Sequence, residues 1–178
     1  ASIIGDLDAN ALEVPVTASE AIFSGTLGGS VGPDGAGANG FTLVAPANQT
    51  IGLETVSYAV AGNMLTATTV GGTRPGTTLF TVEITNKATG AYTVTLVNNV
   101  LHAGGPNEEA TDATALITYT ITDADGSAVP GNILTITLDD DAPTATAEAA
   151  QDVAEGATVT GIFDFVQGAD GASVTQIN

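Results

Sequence analysis

The feature that most constrains this chain is a period of two. Residues 79–85 read Leu-Phe-Thr-Val-Glu-Ile-Thr, and residues 91–97 read Ala-Tyr-Thr-Val-Thr-Leu-Val. Residues 116–122 (Leu-Ile-Thr-Tyr-Thr-Ile-Thr) and 133–138 (Ile-Leu-Thr-Ile-Thr-Leu) repeat the pattern. Side chains alternate between the two faces of a strand, so β-branched residues at this period specify half-buried strands. Further strands are expected at 12–17, 21–27, 41–45, 54–60 and 64–70. Between them lie Gly71-Gly72, Arg74-Pro75-Gly76, Gly104-Gly105-Pro106-Asn107, Asp125-Gly126 and Pro130-Gly131, residues that favour turns. Lys87-Ala88-Thr89-Gly90 has the length of a hairpin loop. Only residues 107–115 are polar and Ala-rich enough to hold a turn of helix.

Many short strands separated by regular turns specify an all-β chain, an Ig-like or cadherin-like antiparallel β-sandwich. Its expected core is aliphatic with a few aromatics: Phe80, Val82, Ile84, Tyr92, Val94, Leu96, Ile117, Tyr119, Ile121, Leu134, Ile136 and Leu138.

Charge narrows the partners. The chain has 178 residues, with 20 acids against two bases, Arg74 and Lys87, and a formal net charge of −18. Yet 43% of residues are apolar, whereas disordered acidic chains are poor in them, so this one folds. Phosphate binding needs clustered Lys and Arg, which excludes nucleic acid. Anionic membrane surfaces are disfavoured for the same reason, and no apolar run is long enough to insert in a bilayer. Two readings of the acid remain open: capture of divalent cations, which relieve repulsion between carboxylates, or solubility in a salty medium. The chain has no cysteine, so thiol catalysis and Cys-based metal sites are absent. It opens with no basic-then-apolar signal and no Met, and it reads as a fragment or processed product.

One internal echo stands out. Residues 25–36 (Gly-Thr-Leu-Gly-Gly-Ser-Val-Gly-Pro-Asp-Gly-Ala) align without gaps with residues 161–172 (Gly-Ile-Phe-Asp-Phe-Val-Gln-Gly-Ala-Asp-Gly-Ala). Five positions are identical at an offset of 136: Gly25/Gly161, Gly32/Gly168, Asp34/Asp170, Gly35/Gly171 and Ala36/Ala172. The register describes one repeat followed by the opening strands of the next. Composition shifts at Leu138-Asp139-Asp140-Asp141-Ala142-Pro143, and residues 139–178 hold eight of the 20 acids and no base. The expected division is an upstream linker at 1–12, a sandwich at 13–142, and from 143–178 the start of another repeat or a strand-donating tail.

Several segments in this order resemble a known repeat class. They are Leu65-Thr-Ala-Thr-Thr-Val-Gly-Gly72 followed by residues 79–84, then Thr89-Gly-Ala-Tyr-Thr-Val94. Tyr119-Thr-Ile-Thr-Asp-Ala-Asp-Gly126 and the seam Asp139-Asp140-Asp141-Ala142-Pro143-Thr144-Ala145 complete the set. Together they resemble the tandem repeats of giant type I secreted bacterial adhesins, the RTX and VCBS-type biofilm proteins. One departure is Val100-Leu101-His102, where that class often has Leu-Asp-His. The glycine-rich nonapeptide calcium repeats of RTX toxins are absent. The resemblance implies an extracellular extender at the bacterial surface that holds an adhesive tip away from the cell, stiffened by Ca2+ where modules join. Its partners would be neighbouring repeats or other copies; some modules of such adhesins instead bind surface glycans.

Candidate chemistry follows the acids. Asp123-Ala124-Asp125-Gly126 has the D-x-D-G form of calcium loops without the closing Glu of an EF-hand; its other reading is a strand-ending turn. Asp139, Asp140 and Asp141 are adjacent carboxylates with no base nearby in sequence, and hard oxygen ligands suit Ca2+. Asp152 and Glu155 follow, and Asp6 and Asp8 could play the matching part upstream. The other reading is a solvated acidic linker. Asp34 and Asp170 sit in Asp-Gly steps and read as turn residues. The sole histidine, His102, has no G-x-S-x-G nucleophile motif to serve and reads as structural, so no enzyme is expected. Three functions remain: a Ca2+-stiffened extender, a carbohydrate-binding module using loops 28–40 and 103–112, or a fibre subunit assembling by strand addition.

Overall fold

A computed structural model describes residues 2–3, 21–102, 113–138, 144–145 and 149–166. It is an all-β sandwich, with no helix among the described residues. In chain order the strands are β1 (Ser2–Ile3), β2 (Ile22–Thr26), β3 (Gly40–Val44), β4 (Gln49–Ile51), β5 (Glu54–Ala61) and β6 (Met64–Thr69). They continue with β7 (Thr78–Asn86), β8 (Ala91–Leu96), β9 (Ala113–Thr122), β10 (Ala128–Leu138), β11 (Thr144–Ala145) and β12 (Phe165–Val166).

One sheet has the order β1-β10-β9-β3 and the other β2-β8-β7-β6-β5-β4; β11 and β12 form a separate two-stranded ribbon. Pairing is antiparallel except between β1 and β10, where Ser2 and Ile3 lie opposite Thr137 and Leu138 in parallel. Ser2 and Ile3 fall in the stretch expected as upstream linker, yet they form the edge of the four-stranded sheet.

Alternation sets the core. Every other residue of β8 is buried (Tyr92, Val94, Leu96), as in β9 (Ala113, Ala115, Ile117, Tyr119, Ile121). These meet the buried faces of β3, β6, β7 and β10 in one continuous core. Each fully buried Leu, Ile, Val or Phe side chain contributes roughly 1.5–3 kcal/mol. All twelve residues named from the sequence as core are buried.

Three details differ from the sequence reading. Residues 113–115 belong to β9 and not to a helical turn; residues 107–112 lie outside the described residues, as does the strand expected at 12–17. Pro130-Gly131 is not a turn but a bulge within β10, where the register shifts between Val129 and Asn132 and Gly131 takes φ +78°. A bulge is where a strand tolerates proline, which cannot donate to the ladder. The third is β4, a strand of three residues that no periodic pattern announces.

Polar clamps close the sandwich. The Gln49 side chain on β4 reaches across to β9, donating to the Leu116 carbonyl (2.7 Å) and accepting from the Leu116 amide (2.9 Å). Glu54, at the start of β5, is buried to 1% exposure. The fork of Arg74 holds it: Nε donates to Oε1 and Nη2 to Oε2, each at 2.8 Å. Arg74 also donates through Nη1 to Asn99 Oδ1 (2.8 Å) and through Nη2 to the Asn99 carbonyl (2.6 Å). The loop that delivers Arg74 is pinned at its base. The Thr69 hydroxyl donates to the Arg74 carbonyl, and the Thr77 amide donates to Thr69 Oγ1 at 3.0 Å. This is how one of the two bases in a strongly acidic chain is spent on a single buried carboxylate.

Candidate metal centre

Two loops meet at one end of the sandwich. The first joins β2 to β3 and contains Gly32-Pro33-Asp34-Gly35, a turn in which the Gly35 amide donates to the Gly32 carbonyl (3.3 Å). Proline fits the second position of such a turn because its φ is already set. The second is the β9–β10 hairpin loop, Asp123-Ala124-Asp125-Gly126-Ser127. There the Gly126 amide donates to the Asp123 carbonyl (3.3 Å) and the Asp123 amide to the Ser127 carbonyl (3.1 Å).

Close packing registers the loops against each other. The Tyr119 hydroxyl on β9 donates to the Gly28 carbonyl (2.9 Å). Gly37, at φ +55°, lies so near Ala124 that an added Cβ would stand 2.9 Å from its Cα. Only glycine combines that backbone conformation with that approach. As a result Asp34 comes to Asp123 and Asp125, and one carboxylate oxygen from each lies within 4.8 Å of the other two.

The hairpin loop orients its own acids. The Ser127 amide donates to Asp123 Oδ1 (2.7 Å) and Asp125 Oδ1 (3.1 Å), and Oγ of Ser127 bonds Asp125 Oδ1 at 3.0 Å. Asp123 and Asp125 stand close enough to share a proton. That sharing pushes the Asp123 carboxyl up and holds the Asp125 carboxyl down, with the Ser127 bonds also favouring ionised Asp125. Three carboxyl groups thus face one point, and a cation there would remove the repulsion between their charged forms. The donors are all hard oxygens and partly solvent-facing, which fits Ca2+: it takes about 6–8 oxygens and accepts carbonyls and waters beside carboxylates.

The sequence-named ligands divide. Asp123 and Asp125 lie together, joined by Asp34, which reads from sequence as a turn residue. Asp152 and Glu155 lie on the exposed segment 149–164, outside this group. Asp6, Asp8, Asp139, Asp140 and Asp141 fall outside the described residues, as do Asp170 and loop 103–112. His102 is buried.

The chain matches the family described as Domain of unknown function (DUF5801) over residues 6–133, most of its length, and belongs to that family. No curated protein and no solved structure matches it.

Proposed function

We propose that this family member is an extracellular structural repeat, an extender of a bacterial surface adhesin rather than an enzyme, and that it binds Ca2+. The observation that carries the reading is the convergence of Asp34, Asp123 and Asp125 from two loops distant in sequence. A cation bridging them ties the β2–β3 loop to the β9–β10 hairpin and stiffens one end of the sandwich. The repeat of residues 25–36 at 161–172, together with the acidic seam after Leu138, supports a module made to stand in series. The chain leaves β10 at Leu138, at the far end of that strand from the Asp123 loop. Asp139, Asp140 and Asp141 follow directly in sequence, and we assign them to the joint with the next module.

Scanning calorimetry in Ca2+ and in EDTA tests this. A ligand that binds only the folded state raises Tm with its concentration. The expected result is a Ca2+-dependent rise for the natural chain that is sharply reduced in Asp34→Asn/Asp125→Asn. Equal Tm in Ca2+ and EDTA overturns the metal reading.

A further inference from the structure

The internal echo gains meaning from the duties of its residues. In the first copy, Gly25 sits under an aromatic ring: an added Cβ would lie 2.8 Å from the Tyr92 hydroxyl oxygen and 3.0 Å from Cζ. Gly32 and Gly35 take φ of +75° and +80°, and Asp34 belongs to the carboxylate group. Four of the five shared identities therefore fall where this structure constrains the residue. Gly161 is different. A Cβ there would meet only Gln151 Nε2 at 3.5 Å, an ordinary contact, so its own surroundings place no demand for glycine.

The alignment extends to the whole strand. Residues 158–163 (Thr-Val-Thr-Gly-Ile-Phe) fall on residues 22–27 (Ile-Phe-Ser-Gly-Thr-Leu). Phe23 and Gly25 of β2 share the inward face with Leu27 just after it: Phe23 packs on Tyr92 with ring centroids 6.2 Å apart, and Leu27 is buried. Val159 and Phe163 occupy the matching positions, yet each is 50% exposed, and Ile162 is 90% exposed. Ser24 shares a hydroxyl hydrogen bond with Thr93 (3.1 Å), and Thr160 keeps a hydroxyl at that place.

We propose that residues 158–163 are a second β2, and that their partner is β8 of a second copy of this sandwich. In the register of β2 on β8, Gly161 lies opposite that copy's Tyr92, Val159 opposite Val94 and Thr160 opposite Thr93. Among the described residues β2 is the edge strand of the six-stranded sheet, so its place on β8 can be exchanged without opening the other described strands. The chain then donates a strand to its neighbour, whether or not Ca2+ binds at Asp34.

The test vacates β8 and offers it the tail. In the full chain, Gly25→Val forces a side chain into Tyr92 and displaces the native β2, and Gly161→Val disables the chain's own tail. A fluorescent peptide of residues 151–166 is titrated into this double variant and followed by anisotropy. The natural peptide should bind saturably, and the peptide carrying Gly161→Val should bind at least about tenfold more weakly, the scale of overpacking against one ring. Equal binding of both peptides, or binding of neither to a folded host, overturns the proposal. If circular dichroism shows the host unfolded, a transplant decides: I22T/F23V/S24T/T26I/L27F writes the tail strand into the place of β2. It should retain a cooperative melt above that of a chain with Gly and Ser at 22–27; a melt no higher overturns the proposal.

Discussion

Replacing Arg74 by Met isolates the energetic consequence of a buried carboxylate. Glu54 is 1% exposed, and both of its oxygens accept from the Arg74 fork at 2.8 Å. Met keeps much of the stem's volume but leaves the carboxylate in the interior without its cation. Removing one partner of a buried pair costs about 3–5 kcal/mol, because the remaining charge has lost its solvation twice over. Arg74 is itself 23% exposed, and water can reach the vacated site, so the lower end of that range applies. Against a typical domain stability of about 5–15 kcal/mol, even that is a large fraction. Urea unfolding followed by far-UV circular dichroism measures it, with the slope compared to ensure that only stability has changed. The second arm is Glu54→Leu/Arg74→Met, which removes the orphaned charge and should recover most of the loss. A cost below about 1 kcal/mol for Arg74→Met, the range of exposed ion pairs, would refute the reasoning.

Other outcomes follow from the same structure. Gly37→Ala puts a Cβ 2.9 Å from Ala124 at φ +55°, and should cost roughly 1–3 kcal/mol and shrink the calorimetric response to Ca2+. Asp123→Asn keeps an oxygen for the Ser127 amide and removes one of the two close charges. In EDTA at neutral pH it should leave Tm unchanged or raised, while diminishing the Ca2+ response. The sign follows from the raised Asp123 carboxyl, whose favourable contribution is complete in acid and lost as pH climbs through its folded-state titration. Burial pushes the Tyr58 hydroxyl up to about 12. Its folded state thus holds the proton more tightly, and stability should fall as pH rises from the ordinary tyrosine value near 10 toward about 12. Tyr58→Phe should abolish that part of the alkaline loss. It should also leave neutral-pH stability unchanged or higher, since the Tyr58 hydroxyl is buried with no hydrogen-bond partner among the described residues. Ultraviolet titration and urea melts check both points.

What was legible in the sequence depended on distance along the chain. Alternation is a local property, so β7, β8, β9 and β10 and the inward faces of each could be read from a few residues. Three-residue β4 is too short to carry a period. Pro130-Gly131 has the composition of a turn, but the strand pairs with β9 on both sides of it, and the ladder absorbs the irregularity as a bulge. Asp123 and Asp125 stand two residues apart in one loop, so their proximity is visible in the sequence. That of Asp34 is not, since its approach depends on Gly37 meeting Ala124, a contact between segments far apart in sequence. Glu54 opens a strand expected from sequence, but its burial depends on Arg74, twenty residues away, and nothing local in the sequence marks it.

The parallel pairing of β1 with β10 bears on how a pull would travel through the module. Ser2 and Ile3 lie alongside Thr137 and Leu138, so the point where the chain joins the sheet and the point where it leaves are neighbours. Tension applied before Ser2 and beyond Leu138 draws two parallel strands past each other lengthwise. The hydrogen bonds between them then share the load at once instead of opening in succession like a zip. Beyond them, β10 is held along its length by β9, which is held in turn by β3. Force entering before Ser2 can therefore pass to the chain beyond Leu138 through this short lap joint, leaving the six-stranded sheet outside the direct line of strain.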